Sequence, residues 1–199
     1  MLSQKRSLLL FGLLFRMIFY WLIHTIWLKK VTTLKYPPKV ILIASEFPPV
    51  YGGISSHAYN LYKAVSSKNC DVVIIVPGKR QRFDKKMLFK GDEVLFYRDK
   101  SYYKLITILK HLFKLLIKNP KSIVLVSGQL PVTIFGIFFN YFSIKSIAIL
   151  HGHEAMMGSS LRRKLFEKSI KSYNRIIAVS FFSKRNIKRY ISRLDISVI

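Results

Sequence analysis

Between residues 39 and 199 the apolar positions come in short unbroken runs. Each is followed by a glycine, proline or polar turn and then by a stretch of helical periodicity. Val40 to Ala44, Val72 to Val76, Ile123 to Val126 and Ser146 to Leu150 are dominated by branched aliphatics without polar alternation, which predicts strands buried on both faces. Glu93 to Tyr97 and Arg175 to Ser180 predict two shorter ones. Between them Ile54, Ala58, Leu61 and Val65 recur at helical spacing, as do Leu105, Ile108, Leu109, Leu112, Leu116 and Ile117, with Lys110, Lys114 and Lys118 opposite. Two closing helices are expected to turn Leu161, Leu165 and Ile170, then Ile187, Tyr190, Ile191 and Leu194, inward. Their outer faces carry Arg162, Arg163, Lys168 and Lys171, then Lys184, Arg185, Lys188 and Arg189. Val132 to Phe142 is aromatic-rich but too short to span a bilayer, and Asn140 and Lys145 interrupt it; it predicts a buried crossover helix. Strands alternating with helices imply an α/β fold, a doubly wound parallel sheet.

The first forty residues follow another pattern. Leu8 to Leu28 is apolar apart from Arg16 and a weakly polar stripe at Gly12, Arg16, Tyr20 and His24. As a helix it is long enough to cross a hydrocarbon core. Arg16 opposes crossing by about 2.5–3.5 kcal/mol on insertion scales, while Tyr20, Trp21 and Trp27 suit the interface. A spanning anchor and a helix lying in the interface plane both remain open. A cleaved leader fits less well, because no small-residue cleavage site follows. The larger basic excess lies downstream, which places the globular part on the cytoplasmic side. The expected division is an apolar anchoring helix and linker over 1–38, stiffened by Pro37-Pro38, and a globular domain over 39–199.

Composition sharpens the picture. With 34 Lys and Arg against 9 Asp and Glu, the net charge is +25, and no acid precedes Glu46. Such a field attracts polyanions. The apolar N-terminal run favours anionic lipid over nucleic acid, for which no recognised module is present. Cys70 is the single cysteine, which excludes an intramolecular disulfide and a cysteine metal site.

In a doubly wound sheet the ligand crevice lies beyond the carboxyl ends of the strands. The polar and glycine-rich candidates fall there: Gly52, Gly53 and His57 after the first strand, Gly128 and Gln129 after the fourth, His151, His153 and Glu154 after the fifth, and Ser180 after the sixth. Gly52-Gly53 at a strand-to-helix turn either lets a phosphate approach the helix start or merely tightens the turn. No G-x-G-x-x-G dinucleotide fingerprint is present. His57 reads equally as an exposed or capping imidazole, and Ser180 as a helix cap. His151 and His153 have the spacing of a metal pair, but no third or fourth ligand accompanies them, and neither metal nor cofactor is expected. The alternative for the His151 loop is a solvated turn built on Gly152.

Four segments in order carry a family resemblance. They are Glu46-Phe47-Pro48-Pro49 leading to Gly52-Gly53-Ile54 and His57; Val72 to Pro77; Ser146 to Leu150 running into His151-Gly152-His153-Glu154; and Arg175 to Ser180. Together they resemble the N-terminal domain of the family-four glycosyltransferases, retaining enzymes of GT-B architecture, over roughly residues 39 to 199. The resemblance implies a Rossmann-like half that binds the acceptor, with His151 beside the transferred sugar, donating a hydrogen bond as charge develops. It implies Gly52, Gly53, His57, Gly128, Gln129, His153, Glu154 and Ser180 as substrate contacts.

In that family a second domain opens with a P-N-G-[IV]-D-like segment and carries an E-x7-E motif and most nucleotide-sugar contacts. Nothing here matches either, and Asp195 to Ile199 resembles the strand before the junction. The expectation is therefore a membrane-associated half-enzyme of hexosyltransferase type in glycan or polysaccharide biosynthesis, inactive without a donor-binding half. Its partners would be an anionic membrane, a lipid-linked or glycan acceptor and, only with that second half, a nucleotide-sugar donor. Two alternatives stand beside it: a non-catalytic membrane adaptor retaining the fold, and a basic nucleic-acid-binding protein.

Overall fold

The computed structural model describes residues 39–199 apart from 69, 79–87, 90–91, 98–100, 129–132, 134, 153–159 and 192–194. The chain divides into two units, Met1–Tyr36 and Pro37–Ile199, and the described residues all belong to the second. The apolar segment over 8–28, with Arg16, Tyr20, Trp21 and Trp27, lies outside the described residues. Among those residues no helix is long and apolar enough to cross a membrane.

The strands are β1 (Val40–Ala44), β2 (Val72–Pro77), β3 (Glu93–Tyr97), β4 (Ile123–Ser127), β5 (Ser146–Leu150), β6 (Arg175–Ala178) and β7 (Ser197–Val198). The helices are α1 (Gly53–Ser66), α2 (Ser101–Lys118), α3 (Gly136–Tyr141), α4 (Ser160–Ile170) and α5 (Phe181–Tyr190). All seven strands form one sheet in the order β3-β2-β1-β4-β5-β6-β7. Every pairing is parallel. The chain thus winds outward from β1 through β2 to β3, crosses back to β4, and continues the other way. The reversal between β1 and β4 is where such sheets open a crevice.

The central strands are buried along Val40–Ala44 and Val72–Val76, as unbroken branched runs require. Ile41, Leu42, Ile43, Ile74 and Ile75 are essentially inaccessible, and each such side chain stabilises the fold by about 1.5–3 kcal/mol relative to exposure. On one side Phe47 meets Tyr59 and Tyr62 edge-on, with centroids 5.9 and 6.1 Å apart.

The inward helix faces differ in part from the periodicity. In α1 the buried positions are Ser55, Ala58 and Tyr62, while Ile54, Leu61 and Val65 are half-buried. A tyrosine holds the central place because its hydroxyl has partners: it donates to Asp92 Oδ2 (2.9 Å) and accepts the Phe89 N–H (2.7 Å). In α2 Ile108, Leu112 and Leu116 are buried as expected, but Leu115 joins them and Ile117 faces outward. In α4 Phe166 takes the inward place and Leu165 is exposed. Ile187 and Ile191 are buried as expected, whereas Leu194 lies outside the described residues. Within the aromatic run α3 covers Gly136–Tyr141, and Thr133 is helical as well.

Candidate functional site

Register decides what meets at the carboxyl edge. Ala44 pairs with Ser127, Ser127 with Ile149, and Leu150 with Ala178. The residues that leave these strands, Ser45, Gly128, His151 and Val179, therefore emerge side by side. Strands of nearly equal length and matched register make one row out of four separate loops.

His151 is the hub of this row. Its Nε2 lies 3.2 Å from Ser127 Oγ, at the end of β4. Its backbone carbonyl accepts a hydrogen bond from Ser183 Oγ at 2.9 Å. Ser183 belongs to the first turn of α5, whose start is fixed by Ser180. The Ser180 hydroxyl accepts the Ser183 N–H at 3.1 Å, so Ser180 is an N-cap. Gly152 has φ +99°, and a Cβ there would come 3.1 Å from Ser183 Cα. Glycine is thus required for the chain to turn from β5 while α5 stays close.

The second histidine comes from α1. His57 and His151 meet edge to face, with centroids 5.2 Å apart and planes at 89°. His57 Nδ1 is buried and has no hydrogen-bond partner among the described residues. Burial holds the His57 imidazole below its ordinary value of 6.5, because removing water disfavours the cation. At neutral pH it is therefore an uncharged ring with one polar atom unpaired.

The glycines play different parts. Gly52 is extended, and a Cβ on it would make ordinary contact with Glu46 Oε2 at 3.4 Å. Gly53 opens α1, is exposed, and has nothing within 4 Å of its missing Cβ. No side chain caps α1 and its first turn holds no acid. That leaves a helix start electrostatically suited to an anion. Gly128 is the constrained one: φ is +113°, and a Cβ would fall 1.8 Å from Ser45 Oγ.

The structure therefore unites His57, His151 and Ser180 in one connected cluster, places Gly128 at its flank, and sets Gly52-Gly53 one helical turn from His57. Gln129, His153 and Glu154 lie outside the described residues. Ser127, Ser183 and Ser45 escaped sequence reasoning. A serine at a strand or helix end has many ordinary uses, and only the folded chain brings Ser127 and Ser183 to His151 and Ser45 to Gly128. No group of three or more metal-ligating side chains occurs among the described residues.

A doubly wound parallel sheet with its candidate site at the topological switch point defines a Rossmann-like α/β domain. The chain belongs to Glycosyltransferase Family 4, whose family model matches residues 51–199. No curated protein matches it. Among solved structures it is similar to the UDP-GlcNAc 2-epimerase of Methanocaldococcus jannaschii, with 16% identity over 80% of this chain and 45% of that one, and TM-score 0.53. The same archaeal enzyme in complex with UDP-GlcNAc and UDP gives 16% identity over 80% and 46%, and TM-score 0.52. The UDP-N-acetylglucosamine 2-epimerase of Rickettsia bellii gives 12% identity over 82% and 44%, and TM-score 0.55. These likenesses are of fold, that of one half of a GT-B-type enzyme. The chain spans a little under half the length of these three structures.

Proposed function

We propose that residues 39–199 form the acceptor-side half of a retaining glycosyltransferase. In this reading a sugar moves from a nucleotide donor to a lipid-linked or glycan acceptor, and a donor-binding half completes the cleft. The observation that carries it is the His57–His151 pair at the β1–β4 switch point, backed by Ser127. His151 points a ring fixed by Ser127 and by the Ser183-held backbone toward the reacting sugar, where its N–H stabilises developing charge. The open Gly52-Gly53 turn leaves room for a phosphate over the start of α1. That a related fold binds UDP-GlcNAc and UDP in the archaeal epimerase supports a nucleotide-sugar donor.

The same reading attaches the protein to a membrane through residues 8–28, with the globular part on the cytoplasmic side. A lipid-linked acceptor would then be met where it resides. The test is sugar transfer from a panel of UDP-sugars to a membrane lipid extract. The chain is produced together with whatever its native locus encodes beside it. Transfer that disappears in His151→Ala, with thermal unfolding unchanged, supports the reading. Undiminished transfer by that variant overturns it.

A further inference from the structure

Among the described helices, those on the two faces of the sheet carry very different charge. Right-handed crossovers put α1, on the outward path from β1, over one face; α2 to α5, on the returning path, cover the other. Ring contacts tie that second layer together, with Phe113 of α2 against Phe138 of α3 at 5.4 Å and Phe139 of α3 against Tyr173 beyond α4 at 5.9 Å. The solvent side of α1 offers Ser56, Asn60 and Lys63. The solvent side of the other layer offers Lys110, Lys114, Lys168, Arg185, Lys188 and Arg189. Glu167 is the sole acid in α2, α4 and α5, and Lys171 pairs with it.

At the corner of this basic layer stand two large apolar rings. Phe181 and Phe182 open α5 and are 77% and 70% exposed. They share one side of the helix with Arg185, Lys188 and Arg189, while Ser183, Asn186 and Ile187 turn inward. Apolar rings beside an uncompensated row of cations match a surface that offers both anionic headgroups and accessible hydrocarbon. A nucleic acid duplex offers the charge without the apolar layer, so the phenylalanines would have no partner there.

We propose that this helical layer docks on an anionic lipid surface, with Phe181 and Phe182 entering the headgroup boundary and the cations of α5 and its neighbours over lipid phosphates. The proposal rests on the membrane reading above and adds the face that touches the bilayer.

The full chain in a Cys70→Ser background, with a single cysteine at Phe181→Cys or Asn60→Cys, is mixed with vesicles of phosphatidylcholine alone or with added phosphatidylglycerol. Flotation reports association, and a soluble maleimide reports the accessibility of each position. The expected result is labelling at 181 slowed at least about fivefold by the anionic vesicles relative to the neutral ones. It should recover in about 0.5 M NaCl and in Arg185→Glu/Arg189→Glu, while labelling at 60 stays constant. Flotation with equal labelling at 181 on both vesicles, or equal slowing at 60, overturns the docking face and leaves the membrane reading standing. Failure to float with either vesicle overturns both. Protection of 181 by duplex RNA but not by vesicles overturns the choice of lipid.

Discussion

Gly128 and Ser45 touch across the switch point so closely that a Cβ on the glycine would fall 1.8 Å from the serine hydroxyl oxygen and 2.7 Å from its Cβ. The glycine also has φ +113°, where side chains are strained whatever the space. Gly128→Ala is therefore expected to destabilise the domain by about 1–3 kcal/mol. Adding Ser45→Gly removes the clash but not the strain, so the double variant should recover part of the loss. Urea unfolding of the variants checks this, and a fully stable Gly128→Ala would contradict the contact.

The sheet was legible because its central strands are buried on both faces and need no alternation, so Val40 to Ala44 and Val72 to Val76 stand out as branched runs. The carboxyl-edge location of the candidates followed from the strand-helix order alone. Helix facing was less legible. A stripe such as Leu161, Leu165 and Ile170 fixes a face only to within one position, and the folded chain buries Phe166 rather than Leu165. Of the contacts of the site, only the Ser180 cap was legible. Ser127 and Ser45 are placed by strand register and Ser183 by the start of α5, and the apposition of His57 with His151 joins residues far apart in the chain that no local pattern links.

Gly53 separates structure from ligand binding. Its missing Cβ meets nothing within 4 Å, and it lies in the first turn of α1. Gly53→Ala should leave stability unchanged or raise it by up to about 1 kcal/mol. If a phosphate lies over this turn, transfer should nonetheless fall about tenfold or more, a loss of at least about 1.4 kcal/mol in transition-state binding. Parallel measurement of unfolding and transfer checks it. Equal activity would place the phosphate elsewhere.

At the opposite edge of the sheet, Asp92 clamps α1 to β2. Its Oδ2 accepts from Tyr62 and Ser66 at 2.9 and 2.7 Å, and its Oδ1 accepts the Val72 N–H at 2.9 Å. Burial, reinforced by the nearby Asp92 carboxylate, pushes the Tyr62 phenol up to about 12 from its ordinary 10.0. A raised folded value means the native state keeps its proton where the unfolded chain loses it. The stabilisation is complete below pH 10 and is lost as pH rises toward 12. Tyr62→Phe should cost about 1 kcal/mol at neutral pH through the lost hydrogen bonds. It should also abolish the wild type's extra loss of stability between about pH 10 and 12. Chemical denaturation of both proteins across that range gives the comparison.

His57 offers the reverse case at lower pH. Its imidazole is held below 6.5 by burial, so the folded protein binds a proton less readily there than the unfolded chain. Its contribution is complete above pH 6.5 and is lost as pH falls through the interval down to the folded value. His57→Phe preserves a ring against His151 and removes the titration. The wild type should therefore lose stability relative to this variant as pH falls below about 7. Above pH 7 the two should run parallel, apart from a constant difference. Histidine NMR titration adds a second check, because the His57 resonance should move with an apparent value below 6.5 and the His151 resonance should sense the same step across the 5.2 Å between their rings. A His57 that titrates at or above 6.5, with no step at His151, would mean that the two rings do not meet in solution. The candidate site would then lose its central contact.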